Sequence, residues 1–169
     1  MSFRELLANS PSLSNVVTTA DIAVPANATT VIPFNTVVFA NGFSTGGYNT
    51  TTGVFTAPVK GVYHFNMNMI LRAPATGAGL STRLTYDFQY GPTTTFTRRS
   101  GARVDSGQLT ASSVDYPIRH AATIFLNAND SFRVVLVTVT YGVTVATVDA
   151  VSAVRGASNL SIHLVAEIP

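Results

Sequence analysis

Three stretches alternate apolar and polar residues with a period of two, and that alternation decides what this chain can become. In Val62-Tyr-His-Phe-Asn-Met-Asn-Met69, the residues Tyr63, Phe65, Met67 and Met69 fall on one face of an extended strand, with His64, Asn66 and Asn68 on the other. Ser131–Leu136 sets Phe132, Val134 and Leu136 opposite Arg133 and Val135. Asn159–Val165 sets Leu160, Ile162 and Leu164 opposite Ser161, His163 and Val165. A strand that is apolar on one face has to bury that face against a second layer. Further β-branched and aromatic runs, punctuated by Gly, Pro and Asn, predict strands near 16–24, 29–39, 53–57, 61–71, 80–90, 93–99, 120–126, 131–140, 142–149 and 158–166. So many short strands predict an all-β sandwich or barrel. Only residues 2–8 carry a helical pattern.

A length of 169 residues suits one domain, here 16–169, preceded by a segment 1–15 that reads as an arm or attachment device because of Pro11 and its several Ser and Asn residues. The stretch from Arg99 to Pro117, rich in Gly, Ser and Asp, reads as long loops. A core of this size needs no disulfide or metal, and the chain has no cysteine, which excludes disulfide stapling, thiol catalysis and Cys-ligated zinc. Arg4 and Glu5 interrupt the start of the chain, so it does not read as a signal peptide. The most apolar stretch, Val134 to Val145, is short and broken by threonines, which predicts no membrane span. A net charge of +2 supplies no strong field for nucleic acid. Charged residues make up only 11% of the chain, and a surface carried by Thr, Ser and Asn instead is a weak pointer to β-rich shells and adhesive heads.

Four segments carry a family resemblance: Ile32-Pro-Phe-Asn35, Tyr48-Asn-Thr-Thr-Thr-Gly53, Phe55-Thr-Ala-Pro58 and Gly61-Val-Tyr-His-Phe65. Together they resemble the globular head of the complement C1q family, which belongs with the tumour-necrosis-factor-like jelly rolls. Phe125–Val134 resembles that family's Leu-x-x-Gly-Asp-x-Val strand start, with Asn129 in place of Gly and Asp130 matching its Asp. Asn159–Leu164 resembles its last strand, with aliphatic residues replacing aromatics. The resemblance covers about residues 20–166 and implies a ten-stranded, two-sheet jelly-roll sandwich assembled as a homotrimer, with no cofactor and no catalysis. The chain departs from the family pattern in having no collagen-like stalk and no cysteine, and in a longer segment between Leu71 and Phe125.

On that architecture, Phe55, Tyr63, Phe65, Phe132 and Ile162 are core residues, and His64, Asn66, Arg133, Val135, Ser161 and His163 face the threefold axis. Six imidazoles near one axis suit a pH switch, an anion or a metal ion, although no His-x-His pair gives a metal signature and ordinary interface hydrogen bonding is the favoured account of both residues. Arg98, Arg99 and Arg103 make the only basic cluster, fit for a phosphate, a sialylated glycan or an acidic neighbour, or else a solvated hairpin end. No acidic pair, calcium loop or Gly-x-Ser-x-Gly motif occurs.

The sequence therefore points to a non-enzymatic trimeric recognition module on a virion or extracellular surface. As a spike, decoration or minor capsid protein it would be held by its arm to a capsid or other surface protein and would bind a glycan or protein receptor. A soluble C1q-like pattern-recognition lectin is the alternative, and a jelly-roll enzyme of the glycan-lyase or cupin sort is the third reading.

Overall fold

The computed structural model describes residues 11–16, 22–24, 28–41, 47–72, 81–92, 95–96, 98–106, 115–141, 148–150 and 158–169. Among them are thirteen strands and no helix. In chain order they are β1 (Ser12–Val16), β2 (Ile22–Val24), β3 (Thr29–Val31), β4 (Thr36–Asn41), β5 (Tyr48–Asn49), β6 (Val54–Thr56) and β7 (Gly61–Arg72). Then come β8 (Ser81–Pro92), β9 (Arg98–Ser106), β10 (Asp115–Leu126), β11 (Asp130–Tyr141), β12 (Val148–Ala150) and β13 (Asn159–Glu167). One sheet has the order β10-β7-β13-β1-β4 and the other β5-β6-β11-β8-β9, with β3 also on β11. β3 pairs with Val135–Val137 and β6 with Ser131–Arg133, so the two lie end to end along one edge and the second sheet has five rows. β2 and β12 form a separate two-stranded pair. From β7 onward the chain crosses repeatedly between the sheets, with β7, β10 and β13 in one and the β8–β9 hairpin and β11 in the other, which is how a jelly roll closes a sandwich from antiparallel strands.

The core lies between the two sheets. Phe65 on β7 and Phe132 on β11 stack across the sandwich with ring centroids 3.7 Å apart and planes 15° apart. Phe88 meets Phe132 edge-on at 5.0 Å, and Phe55 meets Tyr63 edge-on at 5.6 Å. Tyr63, Phe65, Met67 and Met69 are all fully buried, as are Phe55, Phe132, Leu136 and Ile162. Offset aromatic pairs of this kind add about 0.5–1.5 kcal/mol each beyond the area they bury.

The corner between β5 and β7 explains why its motifs occur together. The Asn49 side chain accepts hydrogen bonds from the Thr51 and Thr52 backbone N–H groups at 2.9 and 3.0 Å, which winds the turn that Gly53 closes at φ 70°. Ile32-Pro33 packs against that glycine so closely that a Cβ there would meet the Ile32 carbonyl oxygen at 2.9 Å. The Phe34 N–H donates to the buried Tyr48 hydroxyl at 3.0 Å. The first two segments of the resemblance are thus one packed unit. At the next corner the Asp130 carboxylate accepts from the Asn127 N–H at 2.9 Å, while Asn129 takes the left-handed φ of 68° that a glycine would take freely.

Two sequence expectations change. Residues 12–15, expected in the arm, form most of β1, which lies inside the sheet between β13 and β4, with Leu13 only 5% exposed. Neighbours on both sides hold this short polar strand in place, which outweighs its weak local propensity. Much of the stretch expected as loops from Arg99 to Pro117 is strand: β9 makes a nine-residue ladder with β8, and β10 starts at Asp115. Pro117 is tolerated there because β10 is an edge strand and hydrogen-bonds on one side only.

Candidate functional site

The outer face of the five-stranded sheet follows from strand parity. With Tyr63, Phe65, Met67 and Met69 turned inward, β7 turns Val62, His64, Asn66 and Asn68 outward. On β13, Ser161, His163 and Val165 face the same way, and on β10 so do Arg119, Ala121, Thr123 and Phe125. The register lines these residues up in transverse rows. His163 lies directly opposite His64, which lies opposite Thr123; Ser161 lies opposite Asn66, and Asn66 opposite Ala121. Ser12 and Ser14 of β1 extend the two rows at register positions opposite His163 and Ser161.

The chemistry of this face is neutral and polar at its centre. His64 Nδ1 and Thr123 Oγ1 share a hydrogen bond of 3.1 Å. Partial burial, and then the neighbouring His64 ring, hold His163 below its ordinary value, so it stays uncharged near neutral pH. Arg119, whose Nε reaches Asn68 Oδ1 at 3.4 Å, stands two rows away from the histidines. The sheet's large exposed apolar groups are Val37, Val38 and Phe39 on the rim strand β4, Phe125 on the opposite rim strand β10 and Val165 on β13. Sequence reasoning missed this rim; the consecutive Val37-Val38-Phe39 was its one readable signal.

Of the six residues expected to share an axis, the structure brings together His64, Asn66, Ser161 and His163. Arg133 and Val135 are not with them, because β11 belongs to the other sheet. Period-two alternation tells which face of a strand is apolar but not which sheet the strand joins, and that is where the assignment went astray. Val135 is fully buried on its own. Arg133 donates from Nε and Nη2 to Gln89 Oε1 at 3.1 and 2.9 Å and lies 3.8 Å over the Phe96 ring, a stack on the outside of the six-stranded sheet. Burial lowers the Arg133 pKa from its ordinary value. Arg98, Arg99 and Arg103 all lie on β9, at register positions opposite Tyr90, Gln89 and Thr85; their side chains lie outside the described residues. Among the described residues no group of three or more His, Cys, Asp or Glu is placed to hold a metal ion. No helix among them is long and apolar enough to cross a membrane.

Two antiparallel sheets closed as a jelly roll define a domain of the C1q and tumour-necrosis-factor architecture. The C1q domain family profile matches residues 15–112, more than half of the sequence, and the chain belongs to that family. Among solved structures it is similar to the globular domain of zebrafish complement 1qA protein, at a TM-score of 0.60 and 15% identity, covering 94% of this chain and 99% of that one. It is similar to murine APRIL at a TM-score of 0.58 and 13% identity, covering 92% and 99%. Eiger TNF from S. frugiperda matches at a TM-score of 0.58 and 12% identity, covering 95% and 96%. At these identities the likeness is one of fold. No curated protein sequence matches the chain.

Proposed function

We propose that this domain is a non-enzymatic recognition head that assembles as a homotrimer through the outer face of its five-stranded sheet. One observation carries the reading. Among the side chains the structure describes, the large exposed apolar ones are Val37, Val38, Phe39, Phe125 and Val165, and all five belong to strands of that sheet; in the other sheet the side chains of β9, of residues 81–86 and of residues 138–141 lie outside the described ones. Scattered apolar residues on a surface need no explanation, but a group gathered on the strands of one sheet supports an interface on that side of the molecule. The centre of the face adds small uncharged groups, Ala121, Thr123, Asn66 and Ser161, that allow close approach without the cost of burying charge. Membership of the C1q domain family supports the same assembly.

In this reading the loops away from the interface bind a glycan or protein receptor, and residues ahead of β1 attach the head to a particle or cell surface, with a virion among the settings. The low charge content and the Thr-, Ser- and Asn-rich composition support such a display role. Absolute mass in solution, measured by light scattering behind size exclusion with a chelator present, tests the assembly. A stable mass of three chains of 17.8 kDa is expected; a monomer at micromolar concentration overturns the reading.

A further inference from the structure

We propose that His64 and His163 form a two-imidazole site for a late first-row divalent cation of the Cu²⁺, Ni²⁺ or Zn²⁺ class. The two residues are directly opposite each other on adjacent antiparallel strands and both leave the sheet on its outer face. Facing residues in such a ladder have Cβ atoms about 4.5–5.5 Å apart. From that spacing two imidazoles converge on one ion whose bonds to nitrogen are about 2.0–2.1 Å long. Neither His163 nor His64 is more than partly buried, so an ion has access from solvent.

The flanking strands support the pair. Thr123 Oγ1 on β10 lies 3.1 Å from His64 Nδ1, and a hydroxyl oxygen accepts an N–H there readily. With Nδ1–H donating to Thr123, the lone pair of His64 is on Nε2, the atom that would bind the ion; an outer partner of this kind fixes both the tautomer and the ring orientation of a ligating histidine. On the other side, the register position opposite His163 is Ser12. The row therefore offers imidazole and hydroxyl groups and no carboxylate, a donor set suited to imidazole-seeking cations and poorly suited to Ca²⁺ or Mg²⁺, which take oxygen ligands. Two protein ligands leave the remaining coordination positions to water, or to the same pair on neighbouring copies if the proposed trimer forms. The inference itself needs only one chain.

The test titrates Cu²⁺, Ni²⁺ and Co²⁺ into the full chain by calorimetry in a weakly coordinating buffer. One ion per chain is expected, or one per three chains where neighbouring copies share it, with Cu²⁺ bound more tightly than Ni²⁺ and Ni²⁺ more tightly than Co²⁺. His64→Gln and His163→Gln should each lower the affinity as far as the double variant does, since a chelate needs both rings. Thr123→Val should lower it about tenfold. His120→Gln should leave it unchanged, because that ring lies against Phe88 with centroids 4.5 Å apart on the inner side of β10. In the wild-type chain, substoichiometric Cu²⁺ should broaden the NMR ring signals of two of the three histidines and spare His120. Unchanged affinity in both single variants, broadening centred on His120, or no binding overturns the proposal. A monomer that binds the ion sinks the trimer and leaves this site standing; a trimer that binds none does the reverse.

Discussion

Phe65 and Phe132 lie face to face, 3.7 Å between ring centroids, and this single contact joins β7 of one sheet to β11 of the other. Both rings are fully buried, and Phe88 closes on both of them edge-on. Replacing either by Ala removes the ring and leaves a cavity that two rigid sheets cannot collapse around. The expected loss is about 3–5 kcal/mol, read as a lower midpoint in urea unfolding at unchanged slope. A loss below 1 kcal/mol would mean that the sheets are held together elsewhere.

Tyr48→Phe tests the corner. The ring is kept, but the buried Phe34 N–H loses its acceptor at 3.0 Å. A stranded buried donor costs about 1–3 kcal/mol. Thermal unfolding of Tyr48→Phe beside wild type measures it, and an unchanged midpoint would show that another acceptor or water takes the hydroxyl's place.

Gly61 starts β7 where the ladder with β13 is irregular, and a Cβ there would stand 2.6 Å from the Ala166 carbonyl oxygen and 2.8 Å from Leu164 Cδ1. The backbone oxygen cannot step aside as a flexible side chain would. Gly61→Ala is expected to destabilise by about 1–3 kcal/mol. Chemical denaturation checks this, and a stabilised variant would contradict the close approach.

His163 gives a pH dependence with a definite sign. Its native value lies below the ordinary 6.5, through burial first and the His64 ring second. Between the two values the unfolded chain holds a proton that the native chain does not, so stability rises with pH across that window. The contribution is intact above pH 6.5, fades as the pH falls below it, and is fully lost once the pH passes below the native value. Unfolding midpoints taken from pH 7.5 to 5 in a chelator should fall more for wild type than for His163→Gln. Equal slopes would place His163 in an unperturbed setting.

His64→Glu tests the proposed interface. If three copies meet on this face, the substitution places carboxylates near one another and weakens assembly. Sedimentation at pH 8 should show dissociation at concentrations where wild type stays whole, and a variant that assembles like wild type would put the threefold axis elsewhere.

The all-β class and the inward faces of β7, β11 and β13 were readable along the chain, because burial imposes a period of two on any strand with one dry face. The corner from Tyr48 to Phe65 was readable as well, since its glycines, proline and asparagine each answer a local backbone demand. Other features depended on the tertiary structure because they join residues far apart in the chain. Leu13 gives no hint that β1 lies between β13 and β4, since what holds a short polar strand is the two neighbours that satisfy its backbone. Arg133 and His163 look alike in their own strands, each a polar residue opposite an apolar face, yet they stand on opposite sides of the molecule. The meeting of His163 with His64 depends on pairing β13 with β7 in one particular register, and local alternation constrains which face a residue takes but not which strand it will find beside it.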